Sequence, residues 1–361
     1  MANNNKHTGP NVPALRFPEF SGEWETKTML EIAPLQRGFD LPKGNIRPGD
    51  IPVVYSNGIM STHNQSKCIG PGVITGRSGT IGSFTFIPNG PYWPHNTALW
   101  VTNFCGNVPL FIYHLYSHIG IVRFASGSGV PTLNRNDVHK HITSIPSNLR
   151  EQNKIASFLS LLDDRIETQS KIIEEQETLL KSLADRMFSE NQYSCGLSEL
   201  VDIVKGKQVN ADTLSEEGDY YVMNGGVAPS GYYSEYNVPA GSISISEGGN
   251  SCGYVQFNEK PFWSGGHCYS LRAKSDIVDY KYLYYFLKAK QSDVMALRIG
   301  SGLPNIQKKD IEKFTVSFPS MVQQLRYVKV LDAVSEQLDA EKSILVLYHK
   351  QKEHLLSEMF I

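Results

Sequence analysis

Two glycine-rich turns carry polar side chains whose types suit recognition of a planar, hydrogen-bonding partner. Arg77-Ser78-Gly79-Thr80 follows a short apolar run, and a guanidinium can grip a phosphate or donate two hydrogen bonds to a guanine edge. Glu247-Gly248-Gly249-Asn250 follows a similar run, where a carboxylate can accept from cytosine N4 and an amide can pair with adenine. An ordinary polar surface turn is the alternative interpretation of both segments.

Four lysines are candidates for binding phosphate groups, because an ammonium attracts phosphate without reading the base sequence. An exposed lysine is more often simply solvated, so their positions alone do not decide between the two roles. The four residues are Lys43, Lys67, Lys205 and Lys207.

The sequence contains no recognisable signature of catalysis or of metal binding. It has no GxxxxGK[ST] phosphate loop, no HExxH and no Asn/Asp-Pro-Pro-aromatic motif of a DNA adenine methyltransferase. Its 5 cysteines are scattered without a CxxC pair, which indicates free thiols rather than a disulfide framework or a zinc site. We therefore expect a non-enzymatic chain that binds no metal or cofactor itself.

Composition excludes several further classes of protein. The 361 residues are 40% hydrophobic and 19% charged with a net charge of -2, so neither a disordered tail nor a strongly basic nucleic-acid binder is indicated. No apolar run reaches the roughly 18 residues of a membrane span, and Met1 to Pro10 lacks the apolar region of a secretory signal. We expect a cytoplasmic chain without membrane contact.

The chain contains an internal repeat with a period of about 170 residues. Ser128-Gly129-Val130-Pro131 returns as Ser301-Gly302-Leu303-Pro304, and Pro91-Tyr92-Trp93 returns as Pro261-Phe262-Trp263. Gly72 to Thr75 is matched in the same order by Gly241 to Ser244. An ordered series of this kind indicates two copies of one structural unit.

Each copy ends in a long segment that has the pattern of a helix. Ser147 to Phe188 contains neither glycine nor proline, and Ser147 can cap its first turn. Apolar residues repeat at heptad spacing, which predicts two helices paired as an antiparallel coiled coil. Polar residues at four of these positions can fix the register: Gln169, Gln176, Glu341 and Lys352. The apolar positions proposed for pairing and partner docking are Ile155, Leu159, Leu162, Ile166, Ile173 and Leu180, then Leu331, Leu338 and Leu345.

The remaining segments are rich in short apolar runs broken by glycine and proline, which predicts mainly β globules. Two helices are expected within them, at Pro109–Gly120 and Asp279–Gln291. The predicted strands are Ile51–Tyr55, Gly72–Thr75, Ser83–Ile87, Leu99–Thr102, Tyr220–Met223, Ser242–Ser246 and Tyr254–Phe257.

The predicted fold class is thus α+β, with two mainly β/α globules alternating with two long helices in a pseudo-two-fold repeat. The expected boundaries are 1–146 for the first globule, 147–188 for the first helix, 189–319 for the second globule and 320–361 for the second helix.

Two segments carry further motifs, the leader Leu15 to Glu25 and the helix start Pro146 to Ile166, which contains Glu151 and Gln152. These segments resemble the leader and the repeated helix start of many specificity subunits of type I restriction-modification systems. The more diverged second copy keeps Pro319, Ser320 and Gln324. The Ser-Gly-x-Pro motif that closes each globule also fits this family. The resemblance covers the whole chain and is least specific inside the globules.

This resemblance implies a division of labour among several proteins. Each globule would be a target recognition domain that reads one half of a split, asymmetric sequence in double-stranded DNA. The helices would set the gap between the half-sites and dock two copies of a DNA methyltransferase subunit. A restriction and motor subunit would join through that core, and S-adenosylmethionine, ATP and magnesium would bind to those partners rather than to this chain.

Two other interpretations remain open from the sequence. The first is a scaffold whose two β globules bind protein or glycan ligands from a coiled-coil stalk, which the weak net charge permits. The second is a single-chain enzyme of nucleic-acid metabolism with an unrecognised site, against which the missing motifs count.

Overall fold

A computed structural model of the chain describes residues 11–127, 129–189, 192–300 and 302–361. Ser128 and Ser301, the first residues of the two Ser-Gly-x-Pro motifs, lie outside these ranges. The chain forms two compact units, one made of Met1–Ser170 with Ile344–Ile361 and the other of Lys171–Ser343. This division passes through both long helices, so each unit contains one globule and parts of two helices.

Within its described residues, unit 1 combines twelve strands with three short α-helices, the first part of one long helix and the end of another. The strands are Glu25–Thr28 (β1), Leu35–Arg37 (β2), Ile51–Tyr55 (β3), Gly58–His63 (β4), Cys68–Ile69 (β5), Gly72–Gly76 (β6), Phe84–Ile87 (β7), Pro91–Pro94 (β8), Ala98–Val101 (β9), Ala125–Ser126 (β10), Thr132–Leu133 (β11) and Ile142–Ile145 (β12). The helices are Met29–Ile32 (α1), Pro109–Ile119 (α2), Arg135–His139 (α3) and Leu149–Ser189 (α4).

Unit 2 repeats this plan with fewer strands. Its strands are Tyr193–Gly196 (β13), Val201–Lys205 (β14), Tyr220–Met223 (β15), Tyr232–Tyr233 (β16), Ser242–Ser246 (β17), Val255–Asn258 (β18), Trp263–Ser264 (β19), Cys268–Ala273 (β20) and Thr315–Phe318 (β21). Its helices are Leu197–Leu200 (α5), Tyr280–Ala289 (α6), Gln291–Ala296 (α7), Lys308–Glu312 (α8) and Met321–Met359 (α9). The predicted strands and the two predicted helices inside the globules are all confirmed, with ends that shift by one or two residues.

The sequence repeat is also a repeat of sheet topology. A four-stranded antiparallel sheet has the order β2-β9-β6-β7 in unit 1 and β14-β20-β17-β18 in unit 2. Beside it, β3 pairs in parallel with β8, and β15 pairs in parallel with β19. The strand pairing corrects one sequence match by one residue. Ile74 pairs with Trp100 in unit 1, and Ser244 pairs with Ser270 at the equivalent place in unit 2. Two residues earlier on each strand, Gly72 is therefore equivalent to Ser242 and not to Gly241.

The core of each unit is formed by the sheet, the central helix and segments of both long helices. In unit 1, Phe111 and Leu115 of α2 are fully buried in a cluster that also contains Leu159 and Met359. In unit 2, Tyr282 and Phe286 of α6 are buried with Phe188 and Leu331. Burial of these apolar side chains is the main source of stability for both globules.

The two long helices pack together, as the heptad pattern predicted. The start of α4 and the end of α9 share the core of unit 1, and the end of α4 and the start of α9 share that of unit 2. All nine apolar seam positions are buried or half-buried. In unit 1, seam residue Lys352 forms an ion pair with Asp163 of α4.

The predicted cap of the first long helix is wrong by one residue. Helix α4 begins at Leu149, and the side chain of Asn148 accepts a hydrogen bond from the backbone N–H of Arg150 at 2.9 Å. Asn148 therefore caps the helix in place of Ser147. The amide oxygen of asparagine serves this purpose as well as a serine hydroxyl, and a pattern of residue types cannot separate two adjacent candidates.

Candidate nucleic-acid interface

The turn after β6 holds Arg77 by its backbone and by one side-chain nitrogen. Its backbone N–H donates to the Thr97 carbonyl at 2.8 Å, and its own carbonyl accepts from Leu133 at 2.7 Å. Its Nε donates to the Asn96 carbonyl at 3.2 Å. In the part of the chain that the structure describes, no carboxylate forms an ion pair with this guanidinium. Arg77 is thus oriented without being neutralised.

The next residues of this turn rest on the Ser-Gly-x-Pro segment of the same unit. Ser78 forms an isolated β-bridge with Thr132. The backbone N–H of Gly79 donates to the Pro131 carbonyl at 3.1 Å, and Gly79 has a φ of +82°, which glycine adopts without strain. Thr80 follows as an exposed residue. Two motifs that are separate in the sequence therefore form one surface.

Unit 2 builds the equivalent surface with the same backbone hydrogen bonds. The N–H of Glu247 donates to His267 at 2.9 Å, and its carbonyl accepts from Ile306 at 2.8 Å. Gly249, with a φ of +78°, donates to the Pro304 carbonyl at 3.0 Å, and Gly248 forms a bridge with Asn305. Glu247 thus occupies the position that Arg77 occupies in unit 1.

The side chain of Glu247 is nearly buried and forms an ion pair. Its Oε1 accepts from Lys205 Nζ at 2.7 Å and from the Tyr269 hydroxyl at 2.9 Å. Burial, and then this hydrogen bond to Glu247, raise the pKa of Tyr269 above its usual value. The second oxygen, Oε2, is buried without a hydrogen-bond partner among the described residues. The structure therefore brings two predicted site residues, Glu247 and Lys205, into contact, whereas Asn250 stays exposed at the turn.

Two of the predicted lysines line an open cleft in unit 2. Lys205 and Lys207 border a cavity of about 570 Å³ together with Arg272, and the described residues that line it include no carboxylate. The Lys207 carbonyl accepts from Trp263 Nε1 at 2.9 Å, which fixes the backbone there. The cleft brings together Lys205, Lys207 and Arg272, of which Lys205 also forms the ion pair with Glu247, and cations in an open cleft suit a polyanion.

The two predicted lysines of unit 1 lie in different local settings. Lys67 Nζ lies 5.1 Å from the centre of the Trp93 ring and 5.8 Å from that of Phe39, so its ammonium is held by cation–π contacts. Lys43 begins an exposed 3₁₀ turn, Lys43–Asn45. Neither side chain forms an ion pair with a described residue.

Residue-type patterns missed the roles of several polar residues at the helix starts. In unit 1, Gln152 accepts from the backbone N–H of Val108, which precedes α2, at 2.9 Å, and donates to the Pro146 carbonyl at 2.8 Å. In unit 2, Gln324 accepts from Asp279, which caps α6, at 2.8 Å, and donates to the Pro319 carbonyl at 3.0 Å. Each glutamine thus ties a long helix to the central helix of its globule. The glutamine repeated near the start of both long helices was the sequence feature that could have indicated this shared contact.

A second contact in unit 1 joins the leader to α4. Arg16 binds both carboxylate oxygens of Glu151, at 2.7 and 2.8 Å, and Trp24 Nε1 donates to the same carboxylate at 3.2 Å. The side chains of Arg16 and Glu151 are 3% and 2% exposed. These contacts give Leu15 to Glu25 a structural function in anchoring the globule.

The described residues contain no cluster of His, Cys, Asp or Glu side chains that could hold a metal ion. No helix among them is both long and apolar enough to cross a membrane.

Comparison with known proteins matches residues 21–178 and 193–347 to the type I restriction modification DNA specificity domain. A protein named as a type I specificity subunit from Mycoplasma genitalium is 30% identical over 166 residues, which are 45% of this chain and 43% of that protein. This alignment thus spans less than half the length of that curated relative.

Similar solved structures extend the likeness in fold to nearly the whole chain. The crystal structure of a type I S subunit from M. genitalium has a TM-score of 0.72 at 20% identity, covering 97% of this chain and 99% of that one. A structure reported for complex assembly and conformational transition of the type I R-M system has a TM-score of 0.53 at 15% identity, covering 93% and 97%. Because the domain occurs twice and covers most of the sequence, the chain belongs to the family of type I restriction-modification DNA specificity subunits, the non-catalytic components of these enzymes.

Proposed function

We propose that this chain reads a split, asymmetric DNA sequence, with each globule binding one half-site, and carries no catalytic groups of its own. The observation that carries this proposal is the pair of equivalent turns, each supported by the same backbone hydrogen bonds but bearing different side chains. Unit 1 presents Arg77, whereas unit 2 presents Lys205 held by Glu247, with Asn250 nearby. A shared frame with different polar groups suits two different half-sites.

In this proposal the lysines provide affinity and the turn residues provide specificity. Lys205, Lys207 and Arg272 border the cleft of unit 2, and Lys43 and Lys67 serve unit 1. Contacts of this kind position the protein on the phosphates, while groups such as the Arg77 guanidinium and the Asn250 amide reach base edges. The net charge of -2 does not oppose DNA binding, because the cations are concentrated locally.

The long helices fix the gap between the half-sites and dock two methyltransferase subunits. Exposed apolar residues recur at equivalent positions near the two helix starts, where Leu149 and Phe158 of α4 correspond to Met321 and Val330 of α9. Equivalent surfaces in a pseudo-two-fold repeat suit two copies of one partner. A restriction and motor subunit joins through this core, and the partners supply S-adenosylmethionine, ATP and magnesium.

Co-purification with the methyltransferase subunit, followed by binding to duplex DNA at about 50 to 200 mM salt, tests this function. We expect two methyltransferases per chain and an affinity that falls steeply with salt, because neutralised phosphates release counterions. Lys207→Ala reduces the salt slope by about one unit, whereas Lys313→Ala, an exposed lysine that does not line this cleft, leaves it unchanged.

An affinity that stays flat with salt in the assembled complex would contradict DNA reading. It would favour the alternative function, a scaffold whose globules bind protein or glycan ligands.

A further inference from the structure

The described residues on either side of Ser128 and Ser301 pair as the two strands of a hairpin in both units. In unit 1 the hairpin is β10–β11, closed by the pair Ser126 and Thr132. In unit 2 the equivalent pair is Ile299 and Asn305, joined by two backbone hydrogen bonds of 2.8 and 3.0 Å. A glycine with positive φ, Gly127 at +108° or Gly300 at +96°, directly follows Ser126 or Ile299, the first partner of each of these pairs. The described residues that lead into the two tips therefore have the same backbone arrangement.

Each hairpin presents one branched aliphatic side chain to solvent at its tip. Val130 is 68% exposed. Leu303 is 87% exposed, which is the highest value of any large hydrophobic residue among those described. The next residue of each tip, Pro131 or Pro304, accepts the hydrogen bond from the glycine of the recognition turn. The aliphatic side chain is thus held next to the polar groups assigned to base reading.

The chemistry of these two positions differs from that of the turns beside them. The turn residues change between the units, from Arg77 to Glu247, whereas the tip residue remains aliphatic. A side chain that reads base edges is expected to change with the half-site. An aliphatic side chain common to both units therefore suits a feature that every DNA sequence shares, and the stacked faces of neighbouring base pairs are the apolar part of DNA.

We propose that Val130 and Leu303 insert against a base step in their respective half-sites and partly unstack it. This inference rests on the proposed DNA-reading function and names the residues that deform the duplex. Apolar side chains used as wedges by other proteins kink DNA at the cost of lost stacking. Flexible pyrimidine–purine steps are deformed most easily, so each wedge adds a preference at a position that no polar group contacts.

The test uses the assembled complex and a duplex carrying the sequence that the complex methylates, with 2-aminopurine placed at successive positions. Unstacking raises the fluorescence of this base, and we expect one enhanced position in each half-site. Leu303→Ala abolishes the enhancement in one half-site and lowers affinity about tenfold, and Val130→Ala abolishes the other with a smaller loss. Ile277→Ala and Ile69→Ala, which truncate exposed side chains elsewhere in units 2 and 1, leave both signals unchanged.

Two results would overturn the wedge while the proposed function stands. One is sequence-specific binding without any enhanced position. The other is loss of methyltransferase assembly in Leu303→Ala or Val130→Ala before DNA is added, which would assign the tips to a protein interface. If no DNA sequence is methylated or bound specifically, the proposed function itself fails, and the wedge fails with it.

Discussion

Arg77 and Glu247 occupy equivalent positions in the two units, but their side chains act differently. The Arg77 guanidinium is oriented by one backbone carbonyl and has no carboxylate partner among the described residues. The Glu247 carboxylate is held by Lys205 and Tyr269, so it positions a lysine that is itself half exposed. In the proposed function, single residues of this kind carry the difference in specificity between two units of the same fold.

Arg77→Ala is expected to relax base preference in one half-site only. A bidentate contact between arginine and guanine contributes about 1–3 kcal/mol of discrimination, which corresponds to roughly 5- to 150-fold in relative affinity. Competition between duplexes with single base changes measures this preference. Arg135→Ala, an exposed arginine of the same unit, serves as the control, and equal losses at both half-sites would indicate general damage.

The turns of the candidate site could be predicted from the sequence, because the residue types that favour a turn lie next to one another in the chain. The glycine-rich turns follow short strands, and both strand and turn types can be read from adjacent residues. The burial of Glu247 could not be predicted, because its partners lie 42 and 22 residues away in the sequence. Whether a polar turn residue faces solvent or an ion partner depends on strand pairing, which residue types alone do not determine.

At the scale of elements, the polar contacts at the helix starts join each long helix to its globule. Gln152 and Gln324 form equivalent contacts in the two units, whereas the ion pair of Arg16 and Glu151 belongs to unit 1. The heptad pattern predicted the helices themselves, because apolar spacing reports directly on the buried face. These hydrogen bonds and this ion pair could not be predicted, because a glutamine or an arginine near a helix start has many possible partners.

Arg16→Met is expected to reduce the free energy of unfolding by about 3–5 kcal/mol, because it leaves the buried Glu151 carboxylate without its partner. The double substitution Arg16→Met with Glu151→Met removes both charges and should restore much of this loss. Urea denaturation of the two variants and the parent protein measures the difference. A double variant as unstable as the single one would show that packing, rather than the unpaired charge, causes the loss.

The central helix of unit 1 contains a buried histidine that makes stability depend on pH. Burial, and then the charge of Lys352, lower the pKa of His114 to about 3. Asp163 Oδ2 lies 3.9 Å from His114 Nδ1, but this carboxylate is paired with Lys352 and does not offset burial.

Because the ordinary pKa of histidine is about 6.5, the unfolded chain binds a proton below that pH while the folded chain does not. Proton binding by His114 therefore leaves stability unchanged above about pH 6.5 and opposes folding below it, so the unfolding free energy should fall by up to about 1.4 kcal/mol per pH unit between pH 6.5 and 3. Denaturation at several pH values should show a smaller pH dependence of the unfolding free energy for His114→Phe than for the parent protein. An unchanged dependence in His114→Phe would assign the acid sensitivity to other groups.

At the scale of the whole chain, a repeated topology carries two different sets of side chains. The order of matched segments revealed this repeat, and strand pairing confirmed it with a shift of one residue in β6 and β17. The boundaries 1–146, 147–188, 189–319 and 320–361 remain predictions, because the compact units divide each helix between two cores. Composition alone cannot reveal that sharing, since it depends on which helix ends pack against which globule.

The most direct test of the central claim is a map of methylated adenines across the genome of cells that express the complete system. The proposed function predicts one asymmetric sequence, in which two different half-sites are separated by a fixed number of unspecified bases. A continuous or palindromic sequence, or methylation that persists without this chain, would contradict the claim that its two globules read two half-sites.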